Sequence, residues 1–259
     1  MRNVIENLNF IATQTKNTKK YDFVDKYGKS NVIIAAICMI CLIVNSIFIS
    51  EAKLNQIESS RLAVYLVNFL VGCQGVLGDI GSMSYTGVFV RGEWWRLIIH
   101  MYLHAGIWHV LFNVLALLYA GKVVEKKIGI WPYLLLYHVI AIVNALLMSL
   151  IFRDSVSVGA SAGIFGMIGI VCVLKWKKDT VCTENLKRGE ITYIVFFALL
   201  SLLLGLESFV THAVAFVFGG IAGVVMVMLQ KREKRSAQGT QLQRSAQQGT
   251  RREITFTLK

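Results

Sequence analysis

The chain is 259 residues long, 55% hydrophobic and 16% charged, with one proline and a net charge of +12. A soluble domain carries about a quarter charged residues, so the composition excludes an ordinary water-soluble protein. Lys and Arg gather at 2–29, 122–127, 175–188 and 231–259, leaving Lys53, Arg61, Arg91, Arg96 and Arg153 elsewhere; this sorting argues against nucleic-acid binding and for membrane topology and affinity for anionic lipid.

Residues 1–31 are mostly polar and carry no secretory signal, so the first apolar helix is expected to be retained. A transmembrane helix needs roughly 20 apolar residues, and spans are predicted at 32–49, 106–121, 131–151, 156–174, 191–206 and 208–229. Two of these are short, at about 16 residues, which flanking residues or a thin bilayer can accommodate. With six spans every basic cluster falls on one side, so the positive-inside rule puts both termini in the cytoplasm of a cell-membrane protein. The stretch LAVYLVNFLVGCQGVL, 62–77, is apolar enough for a seventh span. Crossing there would put the N-terminal and 122–127 clusters on opposite faces. It is therefore read as an interfacial or re-entrant element within a long outer first loop, 50–105. Residues 32–230 then form one all-α membrane bundle. Residues 231–259 repeat loosely as RSAQGTQLQ and RSAQQGT and are expected to be a disordered cytoplasmic tail. Cys38, Cys41, Cys73, Cys172 and Cys182 form no CxxC pair and are read as buried apolar thiols.

Polar residues inside spans are costly and therefore informative. LHAGIWHVLFN supplies His104, His109 and Asn113, the last two one turn apart on one helix face. VGASAGIFG places Ser161 among Gly159, Gly163 and Gly166. VTHAVAFVFGGIAG supplies His212, followed by Ala215, Gly219 and Gly223 on one helical stripe. Such small residues let two helices approach backbone to backbone. The second, fourth and sixth spans all run inwards, so His109, Asn113, Ser161 and His212 share a depth near the outer surface.

That constellation has a chemical reading. A serine hydroxyl becomes a nucleophile when a neutral imidazole takes its proton, which casts Ser161 as nucleophile and His212 as base. Negative charge developing on an attacked carbonyl needs donors already in place, and Asn113, His109 and the Ser161 backbone N–H are available. Asp154 and Glu207 are loop residues read as solvated, and Glu125 lies at the far end of its span, so a dyad is expected.

At these residues the chain resembles the rhomboid intramembrane serine proteases. The resemblance rests on GEWWR (92–96), His104, His109 and Asn113 in order, Glu125 to Gly129, GASAGIFG, and HAVAFVFGG, and it covers about residues 32–230. A lone GxSxG is weak, because soluble hydrolases use it too; the ordered set is specific. Ala162 and Ala215 stand where the family often has glycine, and both remain small. The resemblance implies a six-helix core, a Ser161–His212 dyad open to the extracellular side, and an oxyanion hole of His109, Asn113 and the Ser161 N–H. It also implies that Phe165 packs on His212 and that single-span membrane proteins in the lipid bilayer are cleaved without metal or cofactor. His104 is read as a structural hydrogen-bonding residue beside the cavity.

Blander readings compete. Ser161 and His212 can be packing residues, and His109 and Asn113 can bond across helices. His100, His104 and His109 can be metal ligands, but no carboxylate or cysteine completes that set. Trp95 and Arg96 read as an interfacial anchor of the outer loop, and Glu125 as a structural residue that caps or pairs locally with Lys or Arg near the cytoplasmic face. A catalytically silent escort that binds transmembrane helices would need neither Ser161 nor His212. A transporter would call for internal repeats or broken helices that the sequence does not show.

Overall fold

The computed structural model describes residues 23–49, 60–72 and 75–257; Lys53, Cys73 and most of the N-terminal segment lie outside the described residues. The principal helices are α1 (Lys29–Ile47), α2 (Arg61–Val71), α3 (Val76–Gly81), α4 (Ile107–Ile128), α5 (Ile130–Ile151), α6 (Ser161–Trp176), α7 (Arg188–Leu202) and α8 (Leu206–Thr257). Helices occupy all six stretches read as spans. Four of them, α1, α4, α5 and the Leu206–Gln238 part of α8, are long and apolar enough to cross a membrane.

The shorter α6 owes its character to its place. Its 16 residues reach about 24 Å at 1.5 Å per residue, less than the roughly 30 Å of hydrocarbon. Ile164, Met167, Ile170 and Leu174 have no solvent exposure. A helix that is apolar all round is one that protein surrounds, and α5 and α8 pack closely on it.

The fourth span starts later than the sequence suggested. Val156–Ser157 (β2) pairs antiparallel with Met83–Ser84 (β1), Met83 opposite Ser157, and the helix begins only at Ser161. The all-α expectation is thus amended by a two-stranded clip. Two-residue strands leave no period-2 pattern to read.

The 62–77 stretch gives α2 and the start of α3. Eleven residues make about 16 Å, too short to cross. Asn45, near the end of α1, holds both helices: its carbonyl accepts from Asn68 Nδ2 at 3.1 Å, and its Oδ1 accepts from the Gly78 N–H at 2.8 Å.

Arg96 corrects its sequence reading. It is not an interfacial anchor but is buried, with Nε donating to Glu93 at 2.6 Å, Nη1 to the Ser82 carbonyl at 2.7 Å and Nη2 to the Asp79 carbonyl at 2.9 Å. It ties together residues 79–96 ahead of α4. Trp95 stays half exposed and donates its indole N–H to the Ile80 carbonyl at 2.8 Å.

The basic end of the bundle is held by buried polar pairs. Among the described residues Glu125 meets no Lys or Arg partner and serves as a cap. Its carboxylate accepts from Asn31 Nδ2 at 2.8 Å and from the Ser30 N–H at 3.4 Å, satisfying the start of α1. Lys122 pairs with Glu190 at 2.7 Å, tying α4 to α7, and Lys127 with Asp179 at 2.5 Å. Breaking one such buried pair by removing a partner costs about 3–5 kcal/mol. Gly129, the one residue between α4 and α5, has φ +85°, which favours glycine and makes the reversal possible.

One further expectation is revised. Cys172 is exposed on α6, whereas Cys38 and Cys182 are buried and Cys41 half-buried. The last helix runs on to Thr257. Its Gln, Ala, Arg and Glu are helix formers, so the backbone continues without an apolar face.

Candidate active site

Ser161 opens α6. The loop ahead of it turns through Gly159, whose φ of +127° L side chains rarely adopt and whose N–H donates to the His100 carbonyl at 2.9 Å. A Cβ there would also stand 3.0 Å from the His109 ring. Glycine lets the loop both turn and graze the imidazole.

His212 lies in the second turn of α8, and small residues bring it to Ser161. A Cβ on Gly219 would fall 1.8 Å from the Gly166 carbonyl oxygen, and one on Gly169 would fall 2.2 Å from the Phe216 carbonyl oxygen. The helices touch backbone to backbone along the Ala215–Gly219–Gly223 stripe. Of the small residues read from sequence as the facing pattern, Gly166 gives its backbone to Gly219 of α8, while side chains added at Gly163 and Gly166 would meet Tyr137 and Ile140 of α5. Gly169, which the sequence reading passed over, faces α8; its offset of three from Gly166 was the available signal.

The close approach yields a hydrogen bond of 2.9 Å between Ser161 Oγ and His212 Nε2. Phe165, one turn along α6, stacks on the imidazole with centroids 4.3 Å apart and planes within 10°. Phe197 of α7 stacks on Phe165 in turn, at 5.3 Å. With Nε2 accepting from the hydroxyl, the ring proton sits on Nδ1. That atom is buried and meets no partner among the described residues, so aromatic stacking holds the ring where a carboxylate otherwise would.

His109 and Asn113 face the same space from α4. The Ala105 N–H donates to His109 Nδ1 at 3.3 Å, which assigns the ring proton to Nε2. Asn113 Nδ2 donates to the His109 carbonyl at 3.0 Å, fixing which end of the amide is which and leaving one amide hydrogen over. A cavity of about 410 Å³, walled by Phe112, Phe197 and Leu204, opens over Ser161, His212, His109 and Asn113. Donors and hydroxyl therefore converge on one space where a carbonyl can sit.

His104 is buried beside them, its ring edge-on to His109 at 5.0 Å and its Nδ1 donating to the Tyr102 carbonyl at 3.3 Å. Burial holds it neutral, with its pKa pushed down to about 3. Glu207 is not merely solvated: it accepts a hydrogen bond from the Ser155 hydroxyl, linking the loop before Ser161 to the first turn of α8. Among the described residues no three His, Cys, Asp or Glu side chains come together as metal ligands. The sequence reading missed Ser155, Phe197 and Ala105, none of which carries a motif.

The rhomboid domain family matches residues 91–232, more than half of the chain. The chain belongs to the rhomboid family and is a multi-pass membrane protein. Among its relatives, the putative rhomboid protease YdcA of Bacillus subtilis is 30% identical over 186 residues, covering 66% of this chain and 92% of that protein. Rhomboid protease GluP of the same organism is 42% identical over 110 residues, 42% of this chain and 22% of that one. RHOMBOID-like protein 1 of Arabidopsis thaliana is 30% identical over 155 residues, 59% of this chain and 39% of that one. The match thus spans less than half the length of the Arabidopsis relative.

Proposed function

We propose that this chain is an intramembrane serine endopeptidase, with Ser161 as nucleophile and His212 as general base. The observation that carries the reading is the 2.9 Å bond between Ser161 Oγ and His212 Nε2 inside the cavity. As Oγ attacks the scissile carbonyl carbon, its proton passes to Nε2 and the carbonyl oxygen becomes an anion. The Ser161 N–H, the His109 Nε2–H and the free Asn113 amide hydrogen are the donors for that anion. The imidazolium then protonates the leaving amine, and water admitted to the cavity hydrolyses the acyl-enzyme by the same steps in reverse. No cofactor enters this scheme.

The substrates in this reading are single-span transmembrane proteins whose scissile bond reaches the depth of Ser161. Six crossing helices with both termini in the cytoplasm put that bond near the extracellular face of the cell membrane, and the basic residues at the far end support this orientation. The test is purified protein in liposomes treated with a fluorophosphonate. Wild type labels at Ser161 and cleaves a single-span reporter, whereas Ser161→Ala does neither. Unlabelled wild type would point to the silent escort instead.

A further inference from the structure

One polar side chain on the cavity wall takes no part in the chemistry above. Helix α7 turns Ile194, Phe197 and Ser201 inwards, each buried, while Val195, Leu199 and Leu203 face outwards at 51%, 58% and 81% exposure. The inward stripe is apolar until Ser201, which lines the cavity together with Leu200 and Leu204. A polar group on the buried side of an apolar helix is costly, and such groups mark a use.

The hydroxyl has a fixed polarity. Ser201 Oγ donates its one hydrogen to the Ala198 carbonyl at 2.6 Å, within α7. No donor among the described residues reaches Oγ in return. A hydroxyl oxygen carries two acceptor lone pairs, so what Ser201 offers to the cavity is an acceptor. Its place follows from Phe197, four residues earlier and therefore one turn away on the same face of α7. Phe197 stacks on Phe165, and Phe165 on His212. The acceptor thus stands about one helical turn from the rings that hold the base.

We infer that Ser201 is a specificity-determining residue: its Oγ accepts a hydrogen bond from the side-chain hydroxyl of a serine or threonine beside the scissile bond. The inference rests on the peptidase reading above and names a feature of its substrates. The donor is a side chain and not the substrate's main chain because Ser201 is only 4% exposed, on a wall it shares with Phe112, Phe197 and Leu204. A short side chain reaches such a point; a backbone does not. Threonine suits it best, since its methyl group meets the apolar wall while its hydroxyl donates. Valine fills the same space but excludes water from Oγ and gives it no donor. A neutral hydrogen bond of this kind is a preference of roughly two- to tenfold.

The test uses full-length protein in liposomes with pairs of single-span reporters. In each pair one position flanking the scissile bond is threonine or valine, and the two compete in one reaction read by mass spectrometry. At one position wild type should cleave the threonine reporter several-fold faster than its valine partner. Ser201→Ala should bring that ratio close to one, and Ser201→Thr, which keeps the hydroxyl, should preserve it. The ratio separates recognition from damage, because a loosened α7 slows both reporters alike. A threonine-to-valine ratio that is the same in wild type and Ser201→Ala at every position would overturn the inference, whatever happens to the overall rate. So would a ratio lost equally in Ser201→Ala and Ser201→Thr. The valine reporters test the peptidase reading separately: wild type should cleave them and Ser161→Ala should not. Active wild type with an unmoved ratio removes Ser201 alone, whereas inactive wild type removes the peptidase reading and this inference with it.

Discussion

Phe165 stacks face to face on His212, and among the described residues no acceptor meets the far nitrogen of that ring. In this site an aromatic contact does the orienting that a hydrogen bond does in a triad. Aromatic pairs contribute about 0.5–1.5 kcal/mol beyond their area, and about 1.4 kcal/mol is tenfold in rate. Phe165→Leu should therefore slow fluorophosphonate labelling of Ser161 by about tenfold. Phe165→Tyr, which keeps the ring face, should retain most of it. Equal loss in both variants would mean that bulk, not stacking, is what matters.

Ser161→Ala should abolish cleavage of a single-span reporter, while Asn113→Ala should leave residual turnover. Losing one oxyanion donor costs on the order of 10²–10³ in rate, and removing a nucleophile costs more. Normal cleavage by the Ser161→Ala protein would remove the chemistry from this site altogether.

The bond between Ser155 and Glu207 is the hydrogen bond, among the described residues, that joins the loop before Ser161 directly to α8. The other ties of that loop, to Met83, Ser84 and His100, run elsewhere. Glu207→Ala should loosen Ser161 relative to His212 and lower kcat several-fold with little change in KM. Glu207→Gln still accepts from the hydroxyl and should restore most of the rate. Amide hydrogen exchange at residues 153–158 should rise in Glu207→Ala and not in Glu207→Gln. Unchanged exchange would show the bond to be dispensable.

Arg96 ties together Glu93, Ser82 and Asp79, and Glu93 gives the arrangement a pH dependence. Hydrogen bonds from Arg91, and then from Arg96, hold the Glu93 carboxyl below its ordinary value of 4.5. A depressed folded-state value means that the contribution is present above the unfolded pKa and is lost as pH falls through the folded one. Protease resistance of the segment before α4 should therefore decline on acidification below about 4.5, and Glu93→Gln should flatten that decline. Arg96→Met should lower resistance at every pH, because the buried Ser82 carbonyl loses its donor, at about 1–3 kcal/mol, and the Asp79 carbonyl loses one too.

The sequence made the site legible because burying a polar side chain in a membrane is expensive. His109, Asn113, Ser161 and His212 stood out against apolar runs, and the small residues after His212 announced a close helix contact. What escaped notice lacked such contrast. Phe197 and Ser155 look ordinary where they stand, and Ala105 acts through its backbone alone. Arg96 was misjudged because an arginine beside tryptophans resembles an interfacial anchor until the carbonyls around it are seen. Of the two roles read for Glu125 it takes the capping one, but its partners, Ser30 and Asn31, come from another helix that the lysines beside it in sequence do not announce.

The helix contact itself gives the sharpest prediction. Gly219 lies two turns below His212 and touches no reacting atom, yet a Cβ there would meet the Gly166 backbone at 1.8 Å. Backbone cannot swing aside as a flexible side chain can, so α6 and α8 must separate. Misplacing catalytic groups by about 1 Å can cost about 100-fold. Gly219→Ala should thus cut labelling and cleavage by about that factor, and Gly219→Leu further, in protein that still inserts. Gly220→Ala is the paired control, since a Cβ there meets nothing within 4 Å, and Val217→Leu, on the exposed face, is a second. Both should label at the wild-type rate. If Gly219→Ala also labels and cleaves normally, the approach of α8 to α6 does not depend on this stripe, and the placement of His212 against Ser161 must be held by other contacts.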